Sequence, residues 1–108
     1  MPSAVTFTLD LEDLRTSPTQ ELRVERIAHE VFDRIAALGV RGSVYVVGEL
    51  AEAHPGLVKR VAEDGHELGL HSFRHVPLAS CEPVHFREEC ERGKEVLEQL
   101  SQRSVEGF

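Results

Sequence analysis

SVYVVGELAEAHPGLVKRVAEDGHELGLHSFRH, residues 43–75, decides how this chain is read. It opens with residues 43–47, a short, mostly apolar, β-branched run of the kind found in strands buried on both faces. Gly48 ends that run. Residues 49–64 have a helical pattern interrupted by His54-Pro55-Gly56. One short turn followed by a helix from Pro55 is therefore predicted, since proline fits the first helical position. Gly65 stops the helix, and residues 66–70 read as the next strand. His71 and His75 follow at once, four apart.

The pattern continues on both sides. In residues 4–11, AVTFTLDL, Val5, Phe7 and Leu9 alternate with Thr6, Thr8 and Asp10, which is the period of a strand ending in acids. Ser17-Pro18-Thr19 is a loop, with Thr19 placed to cap a helix and Glu21 in its first turn. From 20 to 38, Leu22, Ile27, Val31, Ile35 and Leu38 step by threes and fours, with Val24, Ala28 and Phe32 beside them. That is an amphipathic helix closed by Gly39. After the two histidines, residues 76–82 are loop. Pro83 opens a helix running to about Leu100 through Phe86, Cys90, Val96 and Leu97, and Val105 starts a fourth strand.

Strands alternating with helices predict right-handed crossovers and a parallel sheet. In such folds the site lies at the carboxyl ends of the strands. Asp10, Glu12 and Asp13 end the first strand, and His71 and His75 end the third. Two histidines four apart are common on solvated helix faces, and acids often serve only to solubilise a loop. Their convergence on one rim points to a metal site. Two histidines and a carboxylate with open positions suit a catalytic divalent ion. A second carboxylate nearby can act as base. Strand alternation places Asp10 and Glu12 on one face and Asp13 on the other, unless the chain turns after Leu11.

Composition excludes several classes. The chain has 108 residues, 41% hydrophobic and 29% charged, enough for one small globular domain. Its 12 Lys and Arg against 19 Asp and Glu give a net charge of −7, which argues against a nucleic-acid partner. No apolar run approaches the roughly 20 residues of a membrane span. The N-terminus lacks the basic and apolar regions of a signal peptide, so a cytoplasmic location is expected. Cys81 and Cys90 form no CxxC and read as reduced thiols. His29, His54 and His85 fall on helices as surface or capping residues. His66, at the far end of its strand, reads as structural and Tyr45 as core. Phe73 stands open between packing and lining the site.

TFTLDLED (6–13), the strand-Gly-helix segment leading into GHELGLHS, and the H-S-x-x-H motif together resemble the polysaccharide deacetylase family (NodB-homology, carbohydrate esterase family 4). The D-x-E-D form is similar to its peptidoglycan deacetylase-like branch. The resemblance implies an α/β fold, the N-terminal half of a deformed (β/α) barrel. It also implies a hydrolase that removes N-acetyl groups from amino-sugar polysaccharide or peptidoglycan by metal-activated water. Position by position, His71 and His75 match the metal-binding histidines and Asp10 the catalytic base. The metal-binding carboxylate falls on Glu12 or Asp13, and Ser72 matches a loop-supporting hydroxyl residue. The implied metal is zinc, with other divalent ions also used. The family's Arg-x-Pro motif is expected directly after VEGF (105–108), where the sequence ends, and the later motifs have no counterpart. Residues 1–108 are thus expected to be a partial domain, truncated on its C-terminal side. The alternative is a non-catalytic half-domain that binds metal, or pairs with a partner chain as a homo-oligomer or with a missing C-terminal half.

Overall fold

The computed structural model describes residues 5–108. The elements run β1 (Thr8–Leu11), α1 (Val24–Ala37), β2 (Ser43–Val46), α2 (Gly48–Ala53), α3 (Pro55–Glu63), β3 (Glu67–Leu70), a 3-10 turn (Leu78–Ser80) and α4 (Pro83–Ser101). The three strands form one parallel sheet in the order β1-β2-β3. This is the α/β architecture expected from the alternation of strand and helix periods.

Register explains which face is core. Leu9, Val44 and Leu68 lie side by side, as do Leu11, Val46 and Leu70. Val44 and Val46 are wholly buried, and they cluster with Phe32 of α1, Leu57, Val58 and Val61 of α3 and Leu97 of α4. Each such side chain contributes about 1.5–3 kcal/mol by leaving water. The alternate positions, Thr8, Asp10, Ser43, Tyr45 and Glu67, are exposed or half-exposed. The expectation that β2 is buried on both faces is therefore corrected: one face is core and the other is open. Tyr45 belongs to the open face, where its ring lies over Gly69; a Cβ there would sit 2.4 Å from Tyr45 Cδ1.

Three boundaries differ from the sequence reading, each for a local reason. β1 starts at Thr8 because its partner β2 starts at Ser43; Ala4 lies outside the described residues. α1 starts at Val24 rather than at residue 20 because Gln20 is used elsewhere. Its backbone N–H donates to Ser17 O (3.1 Å) and its side-chain Oε1 accepts from Thr16 N (2.8 Å), closing a turn. Thr19 bonds the Ser17 hydroxyl (2.8 Å) and caps nothing, and the residue at the helix start is Arg23. The fourth strand is reduced to one bridge, Gly69 to Gly107, with Leu70 N donating to Gly107 O (2.9 Å). The break at His54-Pro55 separates α2 from α3 as predicted.

His66 is structural, as expected. It is 1% exposed, and its Nδ1 accepts the Gly42 amide at 3.0 Å, so the ring carries no proton at that nitrogen. His66→Ala removes both the ring volume and the acceptor, and should lower unfolding free energy by about 2–3 kcal/mol. His66→Phe should recover only part of this, because it refills the space without the acceptor. Urea titration of the three proteins checks the order. No helix among the described residues is long and apolar enough to cross a membrane.

Candidate metal centre

β1 and β3 flank β2, so the segments leaving their carboxyl ends meet above it. Val47 N donates to Leu11 O (3.2 Å) and His71 N to Val46 O (2.9 Å), extending the ladder one step to this rim. There Glu12 Oε2 lies 2.7 Å from His75 Nε2 and 3.3 Å from His71 Nε2. The two imidazole centroids are 4.9 Å apart. Asp10 Oδ2 stands 4.0 Å from His71 Nε2, on a side chain more open to water than the other three.

Asp13 stands apart from this cluster. Its Oδ2 accepts Arg15 Nη2 at 2.8 Å and Nε at 2.9 Å. The guanidinium's hydrogen bond holds the Asp13 carboxyl below the usual carboxylate range. Side-chain alternation thus persists two residues past the end of β1, with Asp10 and Glu12 toward the histidines and Asp13 away from them.

The histidine loop is held in an uncommon conformation. Ser72 (φ 59°) and His75 (φ 46°) both sit in the left-handed region, which costs a non-glycine residue on the order of 1 kcal/mol. These two reversals fold the loop back so that His71 and His75 face one point. Three sets of contacts offset the cost. First, the opening amides of α2 bond the loop's carbonyls, Gly48 N to Ser72 O (3.0 Å) and Glu49 N to Phe73 O (2.9 Å). These bonds satisfy helix-start donors that have no intrahelical partner. Second, Phe73 is buried against Gly48, where a Cβ would lie 2.3 Å from its ring. Third, the Arg92 guanidinium stacks 4.3 Å from the Phe73 centroid, and Arg74 pairs with Glu89 of α4. Ser72 therefore supports the loop through its backbone carbonyl. Phe73, left open by the sequence, is an anchor under the site. Free Cys81 and Cys90 line a small space beneath Ser72 and Phe73, and burial pushes the Cys90 thiol up. The role of Gly48 and Arg92 was missed from sequence. The one available signal was the glycine after the apolar run 43–47, which opens α2 and matters only once Phe73 is known to pack on it.

One further observation tests whether the cluster suits a cation. Glu12 Oε2 is buried and makes no hydrogen bond, although two ring nitrogens lie within 3.3 Å. A buried, unpartnered carboxylate oxygen is costly. A donor set of two imidazoles and one carboxylate, each offering an atom within 4.8 Å of the others, suits a divalent ion.

The sequence and fold were compared with known proteins. The model of the polysaccharide deacetylase family matches residues 4–108. A peptidoglycan-N-acetylglucosamine deacetylase of Bacillus cereus is 31% identical over 72 residues, covering 67% of this chain and 26% of that protein. The chain thus spans about a quarter of the length of that curated relative. Among solved structures, a family 4 carbohydrate esterase from Bacillus anthracis superposes with TM-score 0.78 at 19% identity, covering 94% of this chain and 44% of that one. A family 4 acetyl xylan esterase from Clostridium thermocellum, in complex with a cobalt ion, gives TM-score 0.73 at 20% identity, covering 93% and 44%. At these identities the structures establish the fold, a (β/α) barrel of which this chain corresponds to less than half. The family match covers nearly every residue, and the chain belongs to the polysaccharide deacetylase family.

Proposed function

We propose that this chain carries the metal-binding part of an N-deacetylase acting on amino-sugar polysaccharide or peptidoglycan, with Glu12, His71 and His75 as ligands. The observation that carries the reading is the orphaned Glu12 Oε2 between two imidazole nitrogens. Zinc is the metal proposed, because nitrogen and carboxylate oxygen donors suit it. When bound, such an ion supplies Lewis acidity toward an amide carbonyl and toward water. The substrate class is proposed from the relatives, one of which is named as a peptidoglycan-N-acetylglucosamine deacetylase.

The chain's own residues divide the remaining work. In this reading the two left-handed loop residues and buried Phe73 keep the two imidazoles facing Glu12, which limits the ordering required when a ligand binds. Asp10 is close to the cluster but outside it, with its carboxylate open to solvent. It is placed to take a proton at Oδ2 from the water that attacks the acetamide carbon.

Asp10→Asn is the test of that role. It should reduce acetate release from N-acetylchitooligosaccharides at least a hundredfold while zinc affinity stays within about twofold, since general base assistance contributes roughly 10²–10⁴-fold. Equal loss of zinc binding would make Asp10 a ligand instead.

A second reading is a metal-binding half-domain that turns over only with a partner. It is favoured by the open side of the sheet beyond β1. A groove of 640 Å³ runs there between the residues after β1 and the α1 face bearing Val24, Ile27 and Val31. Leu14 and Ile27 are 70% and 41% exposed in it. The occupant proposed is the further strand and helix of a barrel, supplied by a C-terminal half; a second copy is the competing outcome. Metal binding without acetate release by the 108-residue chain supports this reading. Light scattering at 100 μM scale, about the level where weak dimers form, separates monomer from dimer.

A further inference from the structure

α4 supplies none of Glu12, His71 and His75, yet it engages the histidine loop from two sides. Glu89 and Arg92 lie three apart and so share one face of the helix. Glu89 Oε1 accepts both Nε and Nη2 of Arg74. The Arg92 guanidinium sits 4.3 Å from the Phe73 centroid, and its Nη2 donates to Glu52 of α2, 3.1 Å from Oε1 and 3.4 Å from Oε2. α2 is the helix whose first amides hold the Ser72 and Phe73 carbonyls. One guanidinium therefore joins α4, α2 and the loop. The far end of α4 reaches the residue before His71. Glu98 Oε2 accepts the Val105 amide at 2.9 Å, and Gly107 O accepts the Leu70 amide at 2.9 Å.

Magnitude separates this grip from ordinary packing. The Arg92 side chain is 62% exposed, so its removal empties no core space. Ion pairs this open add little to global stability. What they can bias is a local equilibrium, that of a loop whose Ser72 and His75 hold left-handed conformations.

We propose that Arg92 and the Arg74–Glu89 pair are positioning residues of the metal centre: from α4 they hold the segment between His71 and His75 so that both imidazoles face Glu12. The consequence for metal binding rests on the reading of Glu12, His71 and His75 given above; the grip on the loop does not.

Charge gives this proposal a sign. Arg92 and Arg74 are cations near a cation site, and removing either should by Coulomb's law alone tighten zinc binding. A positioning role predicts the reverse. In Arg92→Gln and in Arg74→Gln zinc affinity should fall roughly tenfold, the lower end of what losing a group that orients a ligand costs. Arg87→Gln removes the same charge from an exposed position of α4 that makes none of these contacts, and should leave zinc affinity unchanged or slightly raised.

The test pairs calorimetric zinc affinity with amide hydrogen exchange of the metal-free chain. The Gly48 and Glu49 amides, which bond the loop carbonyls, should exchange about tenfold faster in Arg92→Gln, while the amides of β2 keep their wild-type rates. Unchanged or tighter zinc binding in Arg92→Gln or Arg74→Gln overturns the proposal, as does an equal loss in Arg87→Gln. Faster exchange across β2 as well would show general destabilisation and overturn it too. If the wild-type chain binds no zinc, the metal reading fails by itself and exchange alone decides the grip: faster Gly48 and Glu49 amides support it, and unchanged ones overturn it.

Discussion

Glu12→Gln should remove high-affinity zinc binding, weakening it at least a hundredfold, while the metal-free protein becomes no less stable. Both halves follow from one atom. Glu12 Oε2 is the point at which His71 Nε2 and His75 Nε2 converge, at 3.3 and 2.7 Å. Removing a charged ligand from a three-residue set takes away the only anionic donor, so affinity falls steeply. In the metal-free state the same oxygen is buried with no hydrogen bond. That costs about 1–3 kcal/mol of unmet desolvation. A glutamine amide keeps the shape, sheds the charge and can donate to an imidazole nitrogen, so unfolding free energy should hold or rise by up to about 1 kcal/mol. Zinc at a thousandfold excess over its Kd should stabilise the wild type by about 4 kcal/mol and the variant by almost nothing. Asp13→Ala should keep the wild-type zinc response, because that carboxylate is engaged by Arg15. Thermal unfolding with and without zinc reads all of these. A loss of zinc response in Asp13→Ala with retention in Glu12→Gln would reverse the ligand assignment.

Phe73→Ala should cost about 3–5 kcal/mol and loosen the site with it. The truncation term is that of a large ring leaving a packed position; Phe73 is 4% exposed. The ring also carries the stacking of Arg92 at 4.3 Å. The larger consequence is for the loop. Ser72 and His75 hold left-handed conformations, and buried Phe73 is one of the anchors of the segment between them. Without the ring, the loop is free to relax to ordinary dihedrals and to part His75 from His71. Zinc affinity should therefore fall at least tenfold at temperatures where the variant is still folded. Gly48→Ala should act in the same direction from the other side, since its Cβ would lie 2.3 Å from the Phe73 ring. Urea denaturation gives the stability loss and calorimetry the affinity. A destabilised Phe73→Ala protein with wild-type zinc affinity would show that the loop does not depend on its anchor.

Much of the architecture was legible because it depends on periodicity. The change from period 2 in residues 4–11 to steps of three and four in 20–38, then the strand-helix-strand of 43–70, predicts parallel strands with the acids and histidines on one rim. The His54-Pro55 break was legible because proline imposes it. The failures have physical causes that periodicity does not carry. Gln20 fits a helix pattern, but its side chain and amide close a competing turn with Thr16 and Ser17. Residues 43–47 are apolar enough for a two-faced strand. Which face of Val44 and Tyr45 is covered depends on where the helices lie, and the run itself does not record that. At the candidate site, residue types and spacing were readable, and both Glu12 and Asp13 were plausible. The structure separates them through Arg15, two residues further on, whose pairing with Asp13 has no signature in the acid motif. The dependence on Phe73, Gly48 and Arg92 was hidden because it joins a loop, a helix start and a distant helix.

The central claim is that Glu12, His71 and His75 together hold one divalent ion. X-ray absorption at the zinc edge of the zinc-loaded chain tests it most directly. The account predicts one zinc per chain, two imidazole shells with nitrogen at about 2.0–2.1 Å, oxygen donors for the rest, and no sulfur. The imidazole signal should halve in His71→Ala or in His75→Ala. A sulfur shell at about 2.3 Å would place the metal on Cys81 and Cys90 instead, and an all-oxygen shell would mean the ion is held by surface carboxylates. Either result would contradict the assignment.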